Sequence, residues 1–176
     1  MREQLIDVGL VALAALLGGL VGLERTRRQK AAGLRTHMLV AGASALIILL
    51  GSAAAETVPG GNGDPARALH AVVTGIGFLG AGAILHGKRG DVTGLTTAAS
   101  LFIAATIGMA VAFEQILLAI GGTVVVLLTL SILGSVEKHI PVDGDEEKAE
   151  EGAERAKAAT NGEEGEASAW KRLTSS

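Results

Sequence analysis

The chain has 176 residues, 49% of them apolar, with 25 glycines, no cysteine and a mean hydropathy of +0.45. That composition excludes an average water-soluble domain, a disulfide scaffold and any thiolate metal site, and it describes a small membrane protein. The net charge of -3 conceals an uneven distribution: residues 1–142 carry ten Lys and Arg against eight Asp and Glu, and residues 143–176 carry five against ten. The first apolar run, Leu5 to Leu23, is close to the ~20 residues that cross a bilayer. A cleaved signal peptide is the rival reading, but the basic residues follow this run instead of preceding it and no small-residue cleavage site appears. Ala14, Gly18 and Gly22 recur at a spacing of four and give the span a face on which another backbone can pack closely.

Residues 24–37 hold Arg25, Arg27, Arg28, Lys30 and Arg35, the densest basic segment of the body. Short loops rich in Lys and Arg stay cytoplasmic, which places the amino terminus outside and sets the rest by alternation. Met38 to Ala55 is the second span. The following Pro59–Gly63 segment favours turns, and Asp64 with Pro65 has the chemistry of a helix start. The third span, about 66–86, carries Gly75, Gly77, Gly80 and Gly82, although each helical glycine costs about 1 kcal/mol relative to alanine. Gly75 and Gly82 fall on one side of a helix and Gly77 and Gly80 on the other. This pattern predicts a central helix sandwiched between neighbours. It is compatible with a continuous helix or one broken at mid-membrane, with the continuous form favoured.

A fourth span, 95–112, has Thr96, Ser100, Ala104, Gly108 and Ala112 in a row at spacing four, a second close-packing stripe. A tight outer hairpin at Glu114 and Gln115 leads to a fifth span, 116–134, rich in Val and Leu and expected at the lipid-facing periphery. The predicted fold is therefore an all-α membrane protein of five transmembrane helices, with the amino terminus outside, the carboxyl terminus cytoplasmic and the glycine-rich third helix central. Residues 1–140 form the membrane domain. Residues 141–176 have almost nothing apolar to bury and are expected to be a disordered acidic cytoplasmic tail.

Chemistry is sought at the rims. Glu24, Arg35, Thr36, His37, Lys88, Asp91, Thr96 and Thr97 gather at the cytoplasmic rim, and Asp64 and Arg67 lie at the outer rim. Hard cations such as Mg²⁺ need only one or two carboxylates plus water, so Glu24, Asp64 and Asp91 are the candidate metal ligands. The plainer alternative is that such carboxylates pair with Arg25, Arg35 or Lys88. His70, about a turn and a half inside the third span, is the one ionisable group placed deeper. The four histidines lack zinc spacing. No nucleophile elbow, His-Glu-x-x-His or Walker loop is present, and GIGFLG lacks the strand that a dinucleotide fingerprint requires, so an enzyme is not expected. Four aromatic residues and a basic cluster already explained by topology argue against nucleic acid.

The ordered series GLERTRRQKAAGLRTHMLV, DPARALHAVVTGIGFLGAGAILHGK and VTGLTTAASLFIAATIG, covering about residues 18–110, resembles the MgtC/SapB family of bacterial membrane proteins. Glu24 and Arg25 match its GLER element, Gly33 to His37 its GLRTH element, and Asp64, Pro65 and Arg67 its aspartate-proline turn. Gly75, Gly77, Gly80 and Gly82 match GIGFLGAG, and Thr96 and Thr97 match GLTT. The chain departs from the family at Ala71, where a glutamine is usual, and at Thr93, where an arginine or similar residue is frequent. The acidic tail stands where virulence-associated members have a folded cytoplasmic domain. The resemblance implies a five-span inner-membrane protein tied to low-magnesium and acid adaptation, often named a magnesium transporter, with members linked to intracellular survival and to restraint of the proton-driven ATP synthase. Two functions follow as expectations. One is Mg²⁺ homeostasis by transport or sensing, with Asp64 outside and Glu24 and Asp91 inside bracketing the route. The other is an interaction protein whose small-residue faces dock on another membrane complex. The expected partners are the lipid bilayer, a second copy of the chain or a membrane complex.

Overall fold

The computed structural model of the chain describes residues 1–57, 65–86 and 92–133. Five helices run in sequence: α1 Arg2–Arg27, α2 Leu34–Thr57, α3 Pro65–Ala83, α4 Leu95–Ala112 and α5 Ile116–Leu128, the last continued by a single π-helical turn, Thr129–Leu133. Among the described residues, four helices are long and apolar enough to cross a membrane: Arg2–Arg27, Leu34–Ala55, Ala66–Ala83 and Leu95–Ala112. The shorter apolar helix Ile116–Ile132 lies at the lower limit of about 17 residues for a span. Large apolar side chains such as Leu5, Leu39, Phe78 and Leu117 stand exposed on these helices, as expected where hydrocarbon replaces water as solvent. The acidic tail, Asp64 and Asp91 lie outside the described residues.

The packing centre differs from the sequence expectation. α4, not the glycine-rich α3, occupies the middle: it packs against α1, α2, α3 and α5, whereas α3 rests mainly on α4 and α2. The buried share is 56% along α4 and 11% along α3. The physical reason lies in which residues of α3 turn inward. Val72 and Ile76 are buried, while a Cβ placed on Gly75, Gly77 or Gly82 meets nothing within 4 Å and one on Gly80 meets only the Ala98 methyl at 3.7 Å. The glycine faces of α3 are therefore outward, not sandwiched.

Close approach is made elsewhere. Lipid-solvated helices gain little from hydrophobic burial against each other and associate where small side chains let backbones touch. A Cβ on Gly22 would lie 2.8 Å from both His37 Cβ and Leu34 Cα, and one on Gly18 would lie 2.7 Å from the His37 carbonyl oxygen. From α4, a Cβ on Gly108 would overlap the Ala41 carbonyl oxygen. The rows Ala14–Gly18–Gly22 and Ser100–Ala104–Gly108–Ala112 are thus the seams that hold α1, α2 and α4 together, and all seven residues are buried. Thr96, at the start of the second row, is exposed.

The connections are short. The α3–α4 link contains a two-residue antiparallel pair, Leu85 with Thr93 and His86 with Val92, which the sequence reading did not anticipate. Gly94 then turns the chain into α4 with φ of +90°, and any Cβ there would collide with the Ala83 carbonyl oxygen. The α4–α5 hairpin falls at Glu114 and Gln115 as expected.

A buried polar cluster as the candidate functional site

Helix alternation brings the end of α1 and the starts of α2 and α4 to one end of the bundle, and a polar cluster is buried there. Arg25 is only 3% exposed and His37 is fully buried, with Thr97 and Ser100 beside them. His37 projects from the first turn of α2, where its backbone N–H and its Nδ1 both donate to the Gly33 carbonyl oxygen, the side-chain bond at 2.9 Å. Its Nε2 lies 3.1 Å from Ser100 Oγ, which in turn lies 2.8 Å from the Thr97 carbonyl oxygen. Arg25 Nη2 reaches Thr97 Oγ1 at 3.4 Å, a long bond that ties α1 to α4 across 72 residues of sequence.

Glu24 and Arg28 stand beside this group. Arg28 Nε approaches Glu24 Oε1 at 2.6 Å, and Arg28 Nη2 donates to the Ser131 carbonyl oxygen at 2.8 Å. The π-helical turn at Thr129–Leu133 is where that carbonyl is offered, so Arg28 fastens the end of α5 to the end of α1. Both Glu24 carboxylate oxygens and Arg25 Nε are buried without a hydrogen-bond partner.

Local chemistry explains how the chain reaches this geometry. α1 stops in a turn with Gln29 at φ +53°, the Lys30 N–H bonding back to the Arg25 carbonyl and the Gln29 N–H to the Thr26 carbonyl. Thr26 Oγ1 bonds the Gly22 carbonyl at 3.0 Å and accepts the Leu34 N–H at 2.8 Å, so a side chain of α1 caps the start of α2.

Of the residues singled out from sequence, Glu24, Arg25, His37 and Thr97 come together. Arg35, Thr36 and Thr96 are at the same end but exposed. Arg67 and His70 are exposed on the opposite half of α3, so of His37 and His70 only His37 is buried. Gly75, Gly77, Gly80 and Gly82 take no part in the cluster. Glu24 is paired with Arg28, a partner the sequence reading did not weigh. Asp64 and Asp91 fall outside the described residues, and among those described no group of three His, Asp or Glu is placed to hold a metal ion. Ser100, a small residue of the α4 packing stripe, also bonds His37. Its position three residues after Thr97 on a helix was the available signal that both would face His37. The caps made by Thr26 and Arg28 had no sequence signature, because each acts across a turn or between distant helices.

The sequence profile of the MgtC family matches residues 11–139. The chain is similar to the "Putative magnesium transporter YhiD" of Escherichia coli K12, 42% identical over 123 residues, covering 68% of this chain and 57% of that protein. It is also similar to "Protein MgtC" of Salmonella typhimurium LT2, 38% identical over 138 residues covering 77% and 57% respectively. An uncharacterized protein of Haemophilus influenzae is 34% identical over 142 residues, covering 78% and 60%. The chain thus spans less than two thirds of the length of these relatives. No solved structure matches.

Proposed function

Because the chain belongs to the MgtC family, we propose that it is a multi-pass protein of the bacterial inner membrane that serves divalent-cation homeostasis, with Mg²⁺ as the ion. The observation that carries this reading is the cluster at the shared ends of α1, α2 and α4. Ionisable groups are rare and costly within a membrane bundle, and here Arg25 and His37 are buried beside the Glu24–Arg28 ion pair. The bundle end that holds them is also its basic end, with Arg27, Arg28, Lys30 and Arg35. The preference of Lys and Arg for the cytoplasm places that end inside and the amino terminus outside. The acidic segment 141–176 then belongs to the cytoplasm. Glu24 presents a carboxylate that a cation reaches by displacing Arg28. In this reading the protein catalyses no reaction.

Purified full-length protein in liposomes loaded with a Mg²⁺-sensitive dye tests the proposal. Mg²⁺ entry above that of empty vesicles, diminished in Asp64→Asn and Glu24→Gln, is the expected result. A second reading is favoured by the outward face of α3, where Phe78 is 82% exposed and Gly75, Gly77 and Gly82 are open. There the chain docks on another membrane complex and moves no solute. Absence of flux together with co-purification of a defined complex, lost in Phe78→Ala, would establish that reading over the first.

A further inference from the structure

The hydrogen bonds around His37 leave a proton to be counted. Gly33 offers a carbonyl, which only accepts, so the Nδ1 atom 2.9 Å from it carries a hydrogen. Ser100 Oγ has a single hydrogen and two neighbours, His37 Nε2 at 3.1 Å and the Thr97 carbonyl oxygen at 2.8 Å. When the hydroxyl points to Thr97, Nε2 must be the donor and the ring is an imidazolium. When the ring is neutral, Nε2 is a lone pair and the hydroxyl turns to it. The Thr97 carbonyl keeps its place in the α4 ladder in both cases. A rotation of one O–H bond therefore leaves every polar atom of the trio partnered in either protonation state. The site therefore satisfies both the neutral ring and the imidazolium.

We propose that His37 is a reversible proton-binding site, in which the Ser100 hydroxyl exchanges donor and acceptor roles as the proton arrives and leaves. The inference goes beyond cation homeostasis and stands whether or not Mg²⁺ moves through the protein. The charged groups nearest the ring come from α1, namely Arg25 and Glu24, the latter paired with Arg28. On α4 the facing groups are the uncharged Thr97 and Ser100, on α2 the next charge is the exposed Arg35, and α3 has no ionisable residue after His70 within its helix. Proton binding changes the α2–α4 bond from O–H···N to a charge-assisted N–H···O. It also sets a second cation beside Arg25, so the cluster has a protonated and an unprotonated state that differ in charge and in the grip between helices.

The test uses the full chain in lipid nanodiscs carrying His70→Gln, His86→Gln and His139→Gln, which leaves His37 as the sole imidazole. Nitrogen-15 NMR of the ring is followed from pH 4 to pH 9. The expected result is one reversible titration in that window, with the neutral form protonated at Nδ1, the minor tautomer of histidine free in water. Ser100→Ala removes the acceptor that the cationic Nε2–H needs and should lower the midpoint by about one pH unit. Ser100→Thr, which retains the hydroxyl, should recover most of that shift. A ring that keeps one charge state across the whole range, a neutral ring protonated at Nε2, or a midpoint indifferent to Ser100→Ala would each overturn the proposal. If Ser100→Ala fails to fold, the tautomer and the titration of the parent protein decide the matter by themselves.

Discussion

Glu114 makes the α4–α5 turn with φ of +58°, a left-handed conformation that L side chains adopt at a cost of roughly 1 kcal/mol. The Gln115 N–H bonds the Ala110 carbonyl and the Glu114 N–H the Val111 carbonyl, both at 2.9 Å, which is the bonding pattern of a helix stop that usually employs glycine. Glu114→Gly should therefore raise the unfolding free energy by about 1 kcal/mol, read as a higher midpoint of thermal unfolding in detergent. Glu114→Val should lower it. At the other end, Thr26 supplies an oxygen to the Leu34 N–H that no residue of α2 supplies. Thr26→Val keeps the shape and removes that cap, and a loss of about 1 kcal/mol is expected, with Thr26→Ser near neutral. Equal stability of the Val and Ser variants would mean that water caps α2 as well as Thr26 does.

At the scale of elements, glycine acts in two opposite ways within one chain. In α1 and α4 it is the contact itself: Gly22 admits His37 and Leu34, and Gly108 admits the Ala41 backbone. Gly22→Ala and Gly108→Ala should each destabilise the bundle by about 1–3 kcal/mol, because the obstructing atoms are backbone or a buried Cβ and cannot swing aside. In α3 the same substitution meets open space at Gly75 and Gly77 and removes only the helix penalty, so those variants should be neutral or more stable by up to about 1 kcal/mol. Unfolding measurements on the four alanine variants distinguish a central α4 from a central α3. If Gly75→Ala proved as damaging as Gly108→Ala, the arrangement of helices would have to be redrawn.

At the scale of the whole molecule, two arginines of α1 do the long-range work. Arg25 reaches α4 through Thr97, and Arg28 reaches the end of α5 through the Ser131 carbonyl. Their helix ends therefore lie together, at one end of an alternating bundle, with the Glu114–Gln115 turn at the other. The absence of native cysteine makes labelling unambiguous. In intact cells and inverted vesicles, Lys30→Cys should react with a membrane-impermeant thiol reagent only from the cytoplasmic side, and Gln115→Cys only from outside. Reaction of both from one side would exclude the alternating arrangement of α1, α4 and α5.

What residue order settles here is local or statistical: apolar runs long enough for a bilayer, Pro65 and Glu114–Gln115 as places where helices change, and small residues at spacing four on α1 and α4. These are legible because hydrocarbon solvation and helix geometry act on each span separately. The motif series also marked Glu24, Arg25, His37 and Thr97 before their contacts were seen. Tertiary structure alone decided that α4 is the hub, that the glycines of α3 face outward, that Arg28 pairs with Glu24, and that Ser100 completes the bonds of His37. Glycine at a helix surface has the same composition signal whether a neighbour fills the space or not, and a hydroxyl three residues from a threonine has no meaning until another helix sets an imidazole against it.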